Sequence, residues 1–201
     1  ISSSATKTSD VGNYVISGSN ATSNHYSISY STGVLSITKA PLTAKVENTS
    51  KEYGSSNPSF CMEFVGLKNG EKTPVWSSSP SYTTSATIKS SVGEYEISAK
   101  ATPKNYELSE ISSGILKITK APLTLQANDL SKTYYSENPE LTYTCNGLKY
   151  WDDISVLTVG PILSTNAKKE SNAGIYEITI KGASAKNYVI TYKDGHMTVQ
   201  K

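Results

Sequence analysis

The chain is short of charge, of cysteine, of phenylalanine and of any long apolar run. Only 18% of its 201 residues are charged, 19 basic against 17 acidic, for a net charge of +2. That balance leaves no electrostatic footprint for nucleic acid or for an anionic membrane surface. No stretch approaches the roughly 18 apolar residues of a membrane span, so membrane insertion is not expected of this segment. A signal-peptide pattern is missing, and Ile1 is not preceded by Met, which reads as a fragment of a longer chain. Two cysteines are too few for a disulfide framework. Two phenylalanines stand against 14 tyrosines. Tyrosine buries its ring and keeps its hydroxyl wet, which suits thin β-domains with half-exposed faces.

What the sequence does have is a repeat. Ala40-Pro41-Leu42-Thr43 returns as Ala121-Pro122-Leu123-Thr124, a step of 81 residues. At the same step Tyr53 maps to Tyr134, Asn57-Pro58 to Asn138-Pro139, and Gly66-Leu67-Lys68 to Gly147-Leu148-Lys149. Later features occur three times: Gly12, Gly93 and Gly174; Tyr14, Tyr95 and Tyr176; Gly33, Gly114 and Gly195. Residues 40–120 and 121–201 agree at 25 of 81 aligned positions without a gap. The chain therefore divides into residues 1–39, the second half of a truncated repeat, and two full repeats, 40–120 and 121–201. No linker separates them, since Ile118-Thr119-Lys120 runs straight into Ala121-Pro122. Seams without slack favour a stiff array over freely tumbling beads.

The alternation within each repeat is that of half-buried strands. Tyr95, Ile97 and Ala99 fall on one face and Glu94, Glu96, Ser98 and Lys100 on the other. Leu42, Ala44 and Val46 repeat as Leu123, Leu125 and Ala127, and the closing strand places Leu116 and Ile118, or Met197 and Val199, inward. About four or five strands per repeat are expected. The sole helix candidate is Trp151–Leu157, where Trp151, Ile154 and Leu157 share a helical face. In the first repeat its counterpart contains Pro74, which shortens it. The recurring glycines are read as supplying positive φ in turns.

These motifs together resemble the MBG domains of bacterial surface proteins and adhesins. Ser50-Lys51-Glu52-Tyr53-Gly54 with Asn57-Pro58 and Gly66-Leu67, and Ser131-Lys132-Thr133-Tyr134 with Asn138-Pro139 and Gly147-Leu148, carry the resemblance. A recurrent Asn-Tyr pair, Asn105-Tyr106 and Asn187-Tyr188, completes it. Tyr135 departs from the pattern where Gly54 follows it, so the turn after Tyr134 is expected to differ. The resemblance implies tandem, mostly-β domains, β-grasp-like, with an immunoglobulin-like β-sandwich as the alternative. It implies an extracellular or bacterial cell-surface location, no catalytic residues and no cofactor.

The search for chemistry agrees with that. Tyr14, Tyr95 and Tyr176 alternate in step with aliphatic residues, so they read as core and not as a sugar platform. Under the repeat step Cys61 aligns with Thr142 and Cys145 with Phe64, one outward and one inward in different repeats. Two free thiols are expected. His25 and His196 have no second ligand beside them, so no metal site is expected. Asp152-Asp153 reads as a solvated helix start without an equivalent in the first repeat. No nucleophile–base pair emerges, and the chain is not expected to be an enzyme.

Two functions then compete. In the first, the chain is a spacer segment of an extended surface or secreted adhesin that presents a distal module, its partners being the neighbouring repeats. In the second, it binds a host glycan or matrix protein directly, with Trp76 and Trp151 as the candidate contact aromatics. Residues 1–39 leave the inward face of Tyr14, Ile16, Leu35 and Ile37 without a first half to cover it, which invites self-association.

Overall fold

The computed structural model describes residues 1–150 and 152–201. Residues 1–39 form β1 (Ser2–Ser3), β2 (Gly12–Ser17) and β3 (Gly33–Ile37). The first full repeat forms β4 (Ala40–Val46), β5 (Thr49–Glu52), β6 (Met62–Val65), β7 (Trp76–Thr84), β8 (Gly93–Pro103), β9 (Tyr106–Ser112) and β10 (Gly114–Thr119). The second forms β11 (Ala121–Ala127), β12 (Leu130–Thr133), β13 (Tyr143–Asn146), β14 (Leu157–Val159), β15 (Ile162–Thr165), β16 (Gly174–Lys181), β17 (Ser184–Ala185), β18 (Tyr188–Lys193) and β19 (Gly195–Gln200). The structure is a mostly-β tandem repeat, with more strands per repeat than the alternation predicts. The extra ones are short, and β5, Thr-Ser-Lys-Glu, is polar throughout.

Each full repeat builds the same two mixed sheets. The order β6-β4-β9 in the first repeat matches β13-β11-β18 in the second, and β5-β10-β8-β7 matches β12-β19-β16-β15. Each of the four contains one parallel pair: β4 with β9, β11 with β18, β5 with β10, and β12 with β19. Parallel partners cannot be joined by a tight turn, so each pair closes a long stretch of chain. Residues 1–39 keep the same register. Gly12 faces Ile37 as Gly174 faces Val199, and Ser3 faces Ile16 as Thr84 faces Ile97.

The core follows from period-two alternation. In the second repeat Leu123, Leu125 and Ala127 of β11 are buried together with Ile178 and Ile180 of β16 and Met197 and Val199 of β19. Each such aliphatic side chain contributes roughly 1.5–3 kcal/mol when taken fully out of water. In residues 1–39, among the described residues, no strand pairs with β3 on the side where β5 joins β10. Leu35 is accordingly 41% exposed, while its counterparts Leu116 and Met197 are fully buried.

Of the helix expected at 151–157, Trp151 lies outside the described residues and Ile154–Val156 form one 3₁₀ turn, started by Asp153, whose carboxylate accepts the Ser155 N–H at 2.8 Å. Tyr150 stands in the left-handed region, φ +48°, and Leu157 already opens β14, which bounds the turn on both sides. In the first repeat Trp76 opens β7 instead.

By proximity the residues group into two compact units. One contains Ile1–Asn48, Ser59–Thr84 and Glu96–Ile115, the other Thr49–Pro58, Ser85–Tyr95 and Leu116–Lys201. Each unit contains one seam between sequence repeats, Lys39-Ala40 in the first and Lys120-Ala121 in the second.

Candidate functional site at the repeat seams

The recurring polar residues converge on the seams. At the second seam, the Tyr53 hydroxyl donates to Asp152 Oδ2 at 3.0 Å and the Tyr188 hydroxyl donates to the same oxygen at 2.5 Å. Their rings meet edge to face, with centroids 5.5 Å apart. Such a pair adds roughly 0.5–1.5 kcal/mol beyond its buried area. The Tyr188 hydroxyl also accepts the Lys149 N–H at 2.9 Å, and the Lys149 ammonium reaches Glu52 at 2.9 Å. Asn187 completes the clasp by accepting the Val92 N–H at 3.0 Å on its side-chain oxygen. Tyr53, Glu52 and Val92 belong to one sequence repeat and Lys149, Asp152, Asn187 and Tyr188 to the next.

The first seam uses the same parts. The Tyr106 hydroxyl donates to Glu71 Oε2 at 2.7 Å and accepts the Lys68 N–H at 3.0 Å. Asn105 accepts the Val11 N–H at 3.1 Å and donates to Asp10 at 2.7 Å. Hydrogen bonds from Lys104 and Asn105 hold the Asp10 carboxyl below its usual range. That ion pair is half-exposed and adds little stability. Glu71 is thus the counterpart of Asp152, so the first repeat does have an equivalent acid. Only Asp153 plays the helix-start role expected of both aspartates.

The turn after Tyr53 is shaped by the same seam. Gly54 has φ +81°, and a Cβ there would lie 2.8 Å from the Cβ and Cγ of Lys149. Tyr135 adopts nearly the same backbone, φ +66°. The two turns close with matching bonds, Ser55 N–H to Glu52 and Ser136 N–H to Thr133. The turn therefore does not differ as the Tyr135 substitution led one to expect. An exposed tyrosine pays the left-handed cost, roughly 1–2 kcal/mol, and lies 6.0 Å from Tyr134 and 5.4 Å beneath the Lys169 ammonium.

A second recurring device lies inside each repeat and escapes sequence reasoning. Lys51 and Lys132 are buried, yet among the described residues neither ammonium forms an ion pair. Lys51 Nζ donates to the carbonyls of Ser55 and Thr87, and Lys132 Nζ to those of Ser136 and Lys168. Asn57 and Asn138 donate beside them to the Ala86 and Ala167 carbonyls. The Ser-Lys-x-Tyr and Asn-Pro motifs are thus pins that hold one loop against another. Burial pushes the Lys51 amine down.

Tyr14, Tyr95 and Tyr176 are half-buried, not core as read from alternation. Their hydroxyls bond back to the carbonyls of Asp10, Ser91 and Asn172, four residues upstream, at 2.8–3.0 Å. The reach to that carbonyl keeps each ring tip at the surface, and the three form the same corner. Trp76 is half-buried, its ring 5.7 Å from Phe64; Trp151 lies outside the described residues. Cys61 is exposed and Cys145 half-buried, both free. Among the described residues no group of three or more His, Cys, Asp and Glu side chains could hold a metal ion.

A family model for the MBG domain (YGX type) matches residues 1–36, 42–117 and 123–198. The chain belongs to the MBG domain family. No curated protein matches the chain at a significant level. In MBG terms, Tyr53-Gly54-Ser55 is the Tyr-Gly triplet, and both its first members are seam residues: Tyr53 donates to Asp152, and Gly54 makes room for Lys149.

The MBG seams also set a pH dependence. Burial first, and then the neighbouring carboxylate, raise Tyr53 and Tyr188, while Tyr106 is raised chiefly by burial. Burial raises Tyr82 and Cys145 as well. A phenol whose folded pKa exceeds its unfolded value contributes stability that is whole below about pH 10 and is lost as pH rises through the folded value. Lys51, pushed down, acts in the opposite sense, but four tyrosines and a thiol outnumber it. The thermal midpoint is expected to be flat from about pH 7 to 9 and to fall above about pH 10, in step with phenolate absorbance. A midpoint rising through that window would contradict the seam chemistry.

Proposed function

We propose that this MBG array is a spacer segment of a bacterial surface or secreted adhesin, holding a distal module away from its anchor. The observation that carries this reading is the double acceptance by Asp152 of Tyr53 and Tyr188, which ties consecutive repeats together through side chains both repeats share. The recurring side chains of the chain are spent on such internal bonds. Lys51, Asn57, Tyr106, Lys132, Asn138 and Asn187 all have partners within the array. A spacer needs that economy, because its work is to transmit tension without a linker yielding first.

Residues 1–201 should therefore give no saturable signal against mucins, glycans and matrix proteins, and should unfold under single-molecule pulling in discrete steps without an initial compliant phase. Saturable binding abolished by Trp76→Ala would replace the spacer reading with an adhesive one.

A further inference from the structure

The two seams differ in how the space beside the second tyrosine is filled. At the second, Tyr53 occupies the space beside Tyr188 and Asp152, and its N–H donates to the Thr119 carbonyl at 2.8 Å. At the first, the corresponding place is a cavity of about 290 Å³ whose lining includes Val11, Ile37, Ala40, Lys68, Glu71 and Tyr106. These match Val92, Ile118, Ala121, Lys149, Asp152 and Tyr188 of the filled seam. Burial follows the filling: Ile118 and Ala121 are buried, whereas Ile37 and Ala40 are only half-buried. The strand edge beside the cavity is open too. Among the described residues β3 carries no partner where β10 carries β5 and β19 carries β12, both in parallel.

We propose that the first seam is a socket for an incoming β-strand that ends in Tyr-Gly, of the type this chain carries at Ser50-Lys51-Glu52-Tyr53-Gly54. The strand adds parallel to β3, as β5 adds to β10, with Leu35 in the place of Leu116. Its tyrosine ring enters the cavity edge-on to Tyr106, and its hydroxyl joins that of Tyr106 on the Glu71 carboxylate. The tyrosine N–H takes the Thr38 carbonyl, the counterpart of Thr119. The lysine ammonium takes the Thr6 carbonyl, the counterpart of Thr87, which accepts Lys51 in the filled repeat. Main-chain pairing supplies affinity, and the tyrosine socket supplies selectivity over other strands.

The test uses the intact chain and a synthetic peptide with the sequence of residues 47–58. Amide exchange of residues 33–38 is followed as peptide is added to about millimolar concentration. In parallel, the same segment is tethered ahead of Ile1 by a flexible linker, which itself provides an effective concentration of about millimolar. Exchange across β3 should slow at least tenfold in the tethered form. The peptide carrying phenylalanine in place of its tyrosine should bind about tenfold more weakly, the loss of one hydrogen bond to a carboxylate. Unchanged exchange in both formats overturns the proposal. So does equal protection by a scrambled segment, which would mark a merely sticky edge.

Discussion

Replacing Gly195 with alanine is expected to destabilise the second repeat by about 3 kcal/mol, while the same change at the equivalent Gly33 is expected to be silent. A Cβ at Gly195 would lie 2.5 Å from the Ala127 carbonyl oxygen, and at Gly114 2.7 Å from that of Val46. Both obstacles are backbone at the end of a buried strand, β11 or β4, so neither can swing aside as a side chain would. At Gly33 the nearest atoms are Ile16 Cβ and Cδ1 at 3.7 and 3.9 Å, ordinary contacts. The reason is that, among the described residues, no strand packs its backbone against the β2–β3 hairpin as β4 and β11 do at Gly114 and Gly195. None of the three glycines has a positive φ in the left-handed range, so the turn role expected of them is corrected. They are there to let two backbones touch. Thermal unfolding followed by circular dichroism should show a midpoint lowered by about 6–12 °C for Gly195→Ala and unmoved for Gly33→Ala. Equal effects at the two sites would mean that close approach is not what the glycine serves.

The contrast shows what the amino-acid sequence makes legible. A half-buried strand writes its pitch into alternation, so β4, β8, β10, β11, β16 and β19 can be located from Leu42, Ile97, Leu116 and their repeats. The strands β5 and β12 leave no such trace. They read Thr-Ser-Lys-Glu and Leu-Ser-Lys-Thr, and their inward residues are lysines whose acceptors lie about as far along the chain as Thr87 and Lys168. Parallel pairing is equally silent, because Leu116 meets Thr49 across a long stretch of chain that carries no turn signal for it. The Asn-Tyr pair is visible as a recurrence, yet its role is not. The partner of Asn187 is Val92, in the repeat before. Asp152 misleads in a different way. An acid beside Asp153 ahead of an apolar residue looks like a helix start, and its counterpart Glu71 sits in a segment that forms no helix at all. Only the position of Tyr53 across the seam reveals what the acid accepts.

Asp152 is for that reason the most informative single residue of the array. Asp152→Ala removes the acceptor of two phenols, one of them on the almost fully buried Tyr188, and should destabilise the second compact unit by about 3 kcal/mol. Tyr53→Phe removes one of the two bonds and should cost about 1.5 kcal/mol. If both act through one contact, the double variant should cost no more than Asp152→Ala alone, a coupling of about 1.5 kcal/mol in the cycle. Glu71→Ala is the internal comparison. It strips a single donor, Tyr106, and should cost about half as much as Asp152→Ala. Urea unfolding of the four variants and the parent would measure all of these terms. Strict additivity of Tyr53→Phe and Asp152→Ala would separate the two residues energetically, and the case for a seam that couples one MBG repeat to the next would go with it. Coupling of the expected size would instead make the seam cooperative, so that a repeat pulled open releases the Tyr-Gly strand of its predecessor at the same moment.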